Sequence, residues 1–405
     1  MDIVHLTWEY PPVVYGGLGR HVHALAVAQA AAGHRVTVVT QQPPGSPPEE
    51  VAQSVRIVRV PPDGPFPYHL PSLLTWVGHL DQRIGLAAAG LPQADLVHAH
   101  DWVVGRAGTA ASRILDAPLV ATIHATEAGR HQGWLPDDVS RAVHLIEQWL
   151  VDEADEIIVC SHSMADEVVR AHEVNSGRIT VIPNGIDASA FPRVTTIPNA
   201  LKRGSPRLSF VGRIEWEKGV FVAVAAMPRV LAAHPRAQLR IVGTGGQTDA
   251  VAAAVIEGGL TGHVQLLGHV DEKTLRAVYS SSDLSLAPSS YEPFGLVALE
   301  AAAMGIPLIV GDTGGLAEFV TDDRGRRCRP NDPNDLADQI IAALADPSDT
   351  AGRAEAASAA LPGFSWSAIA ARTLQVYRRA RRTANPHRAI ATGPNPVWSP
   401  DQAVR

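Results

Sequence analysis

Cysteine is almost missing from this chain: two residues, Cys160 and Cys328, in 405. They fall in separate halves with no metal-ligand spacing, which excludes a disulfide framework and fits reduced thiols in a cytoplasmic protein. No run of about 18 residues is apolar without interruption by Gly, Pro or charge, so no membrane-spanning helix is expected. The first residues, Met1-Asp2-Ile3-Val4-His5-Leu6, have neither the basic start nor the apolar centre of a secretion signal. A surplus of positive charge is also missing. The net charge of −7 gives no reason to expect nucleic acid as a partner. No Asp-x-Asp pair occurs, so a carboxylate-held divalent metal has no obvious seat, and metal-independent chemistry is expected. A complete dinucleotide fingerprint is absent as well. Reading from Gly17, Gly16-Gly17-Leu18-Gly19 would need Gly at Val22, and Gly243-Thr244-Gly245-Gly246 fails at Thr248. Neither loop supports a nicotinamide enzyme.

What is present is apolar and periodic. Residues of apolar type make up 46% of the chain, enough for a core in each of two domains. Short strands are predicted at 3–7, 36–40, 55–60, 95–98, 119–123, 156–159 and 179–182, with helical stretches between most of them. The first helix is predicted at 20–32, and 43–50 reads as a polar, Pro-rich loop. A second alternation places strands at 208–211, 239–242, 264–267, 284–287 and 308–310, and helices follow near 335–345 and 366–382. Both halves therefore read as α/β, doubly wound parallel sheets with ligands expected at the carboxyl ends of the strands. The divisions expected are 1–188 for the first domain, 189–206 for a linker and 207–364 for the second domain. Residues 365–382 form a last helix, and 383–405 a disordered tail rich in Pro, Asn and Arg.

The most informative stretch runs from Ser290 to Gly305. Pro293 biases Glu292 away from helical angles, whereas Leu296 to Met304 are almost all helix formers. Glu300 then sits about five residues into the helix, roughly 7–8 Å along its axis. The N–H groups of Phe294, Gly295 and Leu296 lie between the two carboxylates at a helix start, a place suited to an anion. A phosphate there, with a carboxylate on either side to accept hydroxyl protons, suits a sugar nucleotide. The plainer alternative is a loop tip at Glu292 and a solvated helix residue at Glu300. Against it, Glu300 lies in a run apolar all round, where a carboxylate is costly without a partner.

Other candidates are weaker alone. Gly16 and Gly17 after the first strand let backbone approach a diphosphate, or make a tight turn. Arg213 and Lys218, just past a strand end, suit a diphosphate leaving group, or are neutralised by Glu215 and Glu217. His124 closes a strand, where a histidine is either structural or part of a ligand site. His98-Ala99-His100-Asp101-Trp102 has a spacing that suggests metal, but no clustered third ligand is evident from the sequence, and polar and aromatic surface for carbohydrate is the preferred reading. The basic run Tyr377-Arg378-Arg379-Ala380-Arg381-Arg382 complements a helix dipole, with weak attraction to an anionic membrane as the alternative.

Taken in order, Trp8-Glu9-Tyr10-Pro11-Pro12 with Gly16-Gly17, His124, Pro183-Asn184-Gly185-Ile186-Asp187, Gly212-Arg213 with Lys218-Gly219, Glu292 with Glu300, and Gly314-Gly315 resemble the retaining glycosyltransferases of family 4, with the GT-B fold. The likeness covers about residues 1–380 and leans to the actinobacterial α-(1→4)-glucosyltransferases of glycogen and methylglucose lipopolysaccharide synthesis. It implies two Rossmann-like domains facing across a cleft, with the last helix crossing back to the first domain. It implies ribose on Glu300, diphosphate on Arg213 and Lys218, and Gly243 near the base. Glu292 would hold the donor sugar with help from the amides of Phe294, Gly295 and Leu296. Gly17 would approach the diphosphate from the other domain, and His124 would line the site beneath the sugar. Glu9, Tyr10, His100, Asp101, Trp102 and Thr126 are the acceptor-side candidates. Tyr15 stands where glycogen synthases of the family often carry Lys. The implied partners are ADP- or UDP-glucose and a glycan acceptor, with no tightly bound cofactor. The alternatives are a family-4 mannosyltransferase or other hexosyltransferase, and a catalytically silent sugar-nucleotide-binding protein.

Overall fold

The computed structural model describes residues 1–67, 70–194 and 196–383. Strands β1 (Asp2–Leu6), β2 (Arg35–Gln41), β3 (Glu49–Ala52), β4 (Val55–Val60), β5 (Leu96–His100), β6 (Leu119–Ile123), β7 (Glu156–Val159) and β8 (Ile179–Val181) make one sheet. Its order is β3-β4-β2-β1-β5-β6-β7-β8. Strands β9 (Arg207–Val211), β10 (Gln238–Val242), β11 (Val264–Gly268), β12 (Leu284–Ala287), β13 (Leu308–Gly311) and β14 (Arg326–Cys328) make the second, in the order β11-β10-β9-β12-β13-β14. Every pairing is parallel except the antiparallel hairpin β3/β4. Helices between parallel strands cover the faces, so strands such as β5, β6, β10 and β12 are buried along their whole length. Both expected doubly wound sheets are present.

Three local differences have physical reasons. Residues 49 and 50, expected in a loop, open β3, because Gln53 and Ser54 both take positive φ (50° and 63°) and close a two-residue hairpin. Such turns usually advertise themselves with Asn or Gly, and this one does not. The first helix begins at Gly17 rather than near 20, with Gly16 as its N-cap; glycine's low helix propensity hides that start. Strand β5 runs on to His100, so His98 and His100 point to the same face of the sheet.

The last helix, Trp366–Thr383, lies on the first sheet. Its Ile369, Ala370, Leu374 and Tyr377 are buried with Ile3, Val22 and Leu25. The basic run helps fasten it: Arg379 Nη2 donates to Glu156 Oε2 at 2.6 Å, and Arg381 pairs with Asp95 at 2.9 Å. The expected tail lies outside the described residues except Thr383. No helix among the described residues is long and apolar enough to cross a membrane.

Candidate active site

The loops that follow β9, β10, β12 and β13 meet at the carboxyl edge of the second sheet. Their close approach is built on glycine. A Cβ on Gly219 (φ +72°) would lie 2.0 Å from the Pro288 carbonyl oxygen, and one on Gly243 (φ +132°) would lie 1.9 Å from that of Gly212. The N–H of Ser290 donates to the Glu217 carbonyl at 2.9 Å, which sets the loop carrying Glu292 beside the turn carrying Lys218. Lys218 Nζ then donates to Glu292 Oε2 at 2.7 Å, both side chains being largely shielded. Arg213 pairs with Glu217 at 2.9 Å, and Glu215 accepts from the Gly246 N–H at 2.8 Å. Of the two neutralising acids anticipated, only Glu217 takes a cation among the described residues. Lys218 turns instead to the sugar-side candidate.

Gly295 (φ 91°) caps the helix Leu296–Ala303, and its conformation breaks the chain direction just after Glu292. No hydrogen bond leaves the N–H groups of Phe294, Gly295 or Leu296 among the described residues. Three donors thus stand beside the Lys218–Glu292 pair, at the positive end of a helix. Glu300 is 4% exposed, as its apolar setting predicted, and it is fully partnered. Its Oε1 accepts from Arg20 Nη1 at 2.7 Å and its Oε2 from the Tyr279 hydroxyl at 3.2 Å. Arg20 comes from the other sheet's first helix and is more than half exposed.

That helix faces the site. A Cβ on Gly17 would lie 3.2 Å from Leu296 Cδ1, so the glycine pair abuts the start of the facing helix. Glu9 shapes the loop: its Oε2 accepts from the Tyr15 and Gly16 N–H groups at 2.8 and 3.0 Å. Burial pushes its carboxyl up, and those N–H groups oppose the shift. Tyr10 is buried in the core of the first sheet. Trp102 opens a short turn after β5 and stays partly exposed. Thr126 is buried; its hydroxyl donates to Glu167 at 2.5 Å and its N–H to the Tyr291 hydroxyl at 3.3 Å. Tyr291 also donates to Glu167, at 2.9 Å, so a residue beside Glu292 is tied to the first sheet.

His124, at the end of β6, is held by its own N–H, which donates to Asp101 Oδ1 at 2.7 Å. Burial pushes the Asp101 carboxyl up to about 7. The His124 ring contacts His100 (Nε2 to Nδ1, 3.3 Å) and stands edge-on to His21, with centroids 4.8 Å apart. His21 pairs with Asn184 at 2.8 Å, and His100 with His5 at 3.0 Å. Burial holds His5 and His124 near 4 and takes His21, His98 and His100 well below the ordinary histidine value.

Among the described residues, three side-chain groups are compact enough to surround a cation: His5, His98 and His100; His21, His100 and His124; and His144, Glu147 and His172. In the first, every ring nitrogen already has a hydrogen-bond partner. In the third, His172 Nε2 lies 3.5 Å from Glu147 Oε2 without a hydrogen-bond partner among the described residues, and burial raises the Glu147 carboxyl to about 9 while lowering His172 to about 4.

Arg20, Tyr279, Glu167, His5, His21 and Gln29 were not singled out in the sequence. The signal available for His5 was its place inside the apolar strand Ile-Val-His-Leu, where a polar side chain must find a partner. Arg20 and Glu167 carry no such signal, being ordinary polar helix residues until the two sheets face each other.

The Glycosyltransferase Family 4 pattern matches residues 15–190, and Glycosyl transferases group 1 matches residues 196–360. The chain is 42% identical to the glycogen synthase of Mycobacterium tuberculosis over 399 residues, 94% of this chain and 95% of that one. It is 30% identical to the alpha-maltose-1-phosphate synthase of Mycolicibacterium smegmatis, over 94% of this chain and 99% of that one. Among solved structures, sucrose-phosphate synthase from Thermosynechococcus elongatus superposes with a TM-score of 0.81 at 26% identity, covering 94% of this chain and 99% of its own. With two facing parallel sheets and matches along both halves, the chain belongs to glycosyltransferase family 4, is a glycosyltransferase and has the GT-B fold.

Proposed function

We propose that the protein moves glucose from ADP- or UDP-glucose to an α-glucan, forming α-1,4 links with retention of anomeric configuration. The observation that carries this reading is the Lys218–Glu292 pair beside three free N–H groups at a helix start. Residues 207–364 are the nucleotide-sugar side, residues 1–188 the acceptor side, and 365–382 the helix that returns to it. Glucose rather than another hexose is supported by the 42% identity to a glycogen synthase.

In this reading the donor diphosphate lies on the amides of Phe294, Gly295 and Leu296, with Lys218 and Arg213 as its cations. Charge grows on the departing phosphate as the anomeric C–O bond breaks, and preorganised donors stabilise it most in that state. Glu292 holds hydroxyls of the transferring sugar, and Glu300 holds the ribose after exchanging Arg20 for it. Gly243 leaves room near the base, Gly17 lets the facing backbone reach the diphosphate, and His124 lies beneath the sugar. Glu9, Asp101 and Trp102 border the acceptor side. An acceptor hydroxyl attacks from the face the diphosphate leaves, a new C–O bond forms, and the hydroxyl proton passes to a departing phosphate oxygen. The charge is neutralised by residues of the chain, which makes a metal-independent reaction the expectation. Reduced, buried Cys160 and Cys328 fit work in the cytoplasm.

The test is nucleoside diphosphate release from ADP-, UDP- and GDP-sugars, with and without a short malto-oligosaccharide. Oligosaccharide-dependent release from ADP- or UDP-glucose, with a lengthened product, is expected. Release only from GDP-mannose, or indifference to the glucan, overturns the substrate assignment and leaves the donor site standing. Binding without turnover overturns the catalytic reading.

A further inference from the structure

Gln29, on the helix Gly17–Ala31, is fully buried and bonds in opposite senses at its two ends. Its amide oxygen accepts from His5 Nε2 at 2.7 Å, and its amide nitrogen donates to the Tyr377 hydroxyl at 3.1 Å. Burial keeps the surrounding imidazoles neutral, so each ring has one proton to give and one nitrogen that must accept. With the Gln29 amide in this orientation, the direction of every bond follows. His5 gives its proton to Gln29, so its Nδ1 accepts, and the 3.0 Å bond comes from His100 Nε2. His100 Nδ1 must accept in turn, so the 3.3 Å bond comes from His124 Nε2. His124 Nδ1 is left with its lone pair and makes no hydrogen bond among the described residues. On the other branch Tyr377, having accepted from Gln29, donates to His98 Nδ1 at 2.6 Å, and His98 Nε2 donates to the Thr122 hydroxyl at 2.6 Å. Turning the Gln29 amide over would reverse each proton in sequence and leave His124 with its N–H on Nδ1.

We infer that Gln29 is a positioning residue that sets the tautomer of His124, through His5 and His100. It holds the proton on Nε2 and keeps the Nδ1 lone pair as an acceptor for a hydroxyl of the bound sugar. The inference rests on the proposed place of His124 beneath the donor sugar. Its chemical content is a hydrogen-bond acceptor where a donor would otherwise stand, which decides whether a sugar hydroxyl is bound or repelled at that point. Neither end of the chain is local in sequence: Gln29 comes from the first helix and Tyr377 from the last.

The test is a long-range proton–nitrogen correlation spectrum of the full-length protein carrying 15N-imidazole histidine at pH 7.5. His124 is assigned by the signals lost in His124→Asn. The wild type is expected to show His124 protonated on Nε2. Gln29→Met, similar in volume but unable to direct either neighbour, is expected to give both tautomers at His124. Its kcat should fall roughly tenfold, the direction known for loss of a group that orients an imidazole, with donor KM within about twofold of wild type. Tyr377→Phe, which removes one hydroxyl and serves if Gln29→Met does not fold, should shift the tautomer in the same direction by less. A wild-type His124 protonated on Nδ1, or one whose tautomer is unmoved in Gln29→Met, overturns the inference. A tautomer that moves with kcat unchanged removes the positioning role. Should His124→Ala keep full turnover, the failure belongs to the placement of His124 at the sugar, and the spectra still report whether Gln29 governs the ring.

Discussion

The two walls of the cleft solve the same problem in different ways. On the second sheet the groups are ionic and paired: Lys218 with Glu292 and Arg213 with Glu217 within it, and Glu300 with Arg20 of the facing wall. On the first sheet they are neutral histidines, buried and linked ring to ring. An ion pair at a helix start can exchange one partner for a ligand of the same charge with little reorganisation, which suits a diphosphate that must arrive and leave. A neutral hydrogen-bond chain cannot exchange members cheaply, because an unpaired buried imidazole nitrogen costs about 1–3 kcal/mol. It is suited to holding one ring in one state. The contrast therefore separates residues whose loss should change binding or charge stabilisation from residues whose loss should change order.

The largest effect expected lies within the ionic wall. Glu292→Ala should lower kcat on the order of 100- to 1,000-fold, because in the proposed reading it removes a sugar contact that strengthens as charge develops, and it also releases Lys218 from its pair. Glu300→Ala should act differently, raising donor KM roughly 10- to 100-fold with a smaller change in kcat, since the ribose contact proposed for it would be equal in ground and transition states. Initial-rate kinetics with the productive donor separate the two. Equal effects on both parameters in both variants would remove the division of labour between the carboxylates.

The neutral wall should show itself in acid. A histidine whose folded pKa lies below its unfolded value contributes stability above the unfolded value, near 6.5, and loses it as pH falls through the folded one. For His5 and His124 that window runs from 6.5 to about 4, and for His98 it extends lower. Asp81, Asp101 and Glu147, raised by burial to about 7, 7 and 9, work in the opposite sense and gain stability over the same fall. Comparing wild type with His98→Asn cancels those carboxyls. Urea unfolding at pH 6.5 and 5.0 should show a shallower loss in the variant, by about 1 kcal/mol per pH unit. An identical slope in the two proteins would mean that His98 is not held neutral by the fold.

The same contrast explains what is legible in the amino-acid sequence. Strand periodicity and the helix start after Glu292 are local, so both sheets and the buried setting of Glu300 were legible. The likeness of short motifs extended that to the GT-B arrangement. What stayed hidden was pairing over long sequence distances. Nothing near residue 20 says that Arg20 will meet Glu300, 280 positions away, and nothing near residue 291 says that Tyr291 will bond Glu167. The histidine chain was half visible. His98, His100 and His124 drew notice as strand-end residues, but strand β5 had to continue through His100 before its two histidines shared one face. Gln29 looked like any polar residue of an amphipathic helix, and only the return of Tyr377 from the last helix closes its second bond.

Arg20 offers the smallest and most discriminating change. Its guanidinium occupies the carboxylate oxygen that ribose would need, yet it is more than half exposed and can swing into solvent. Removing it should help donor binding by ending the competition, while costing the unliganded protein the contact between sheets. An exposed cation on a buried carboxylate is worth little once screening is counted, so the loss should be no more than about 1 kcal/mol. Arg20→Ala is expected to lower donor KM two- to threefold, leave kcat near wild type and reduce the Tm of the ligand-free protein slightly. The Tm difference should vanish at saturating nucleoside diphosphate, because the liganded state no longer uses the pair. If Arg20→Ala instead raises donor KM, the guanidinium moves with the nucleotide rather than away from it, and Arg20 joins Arg213 and Lys218 as a phosphate ligand contributed by the opposite wall.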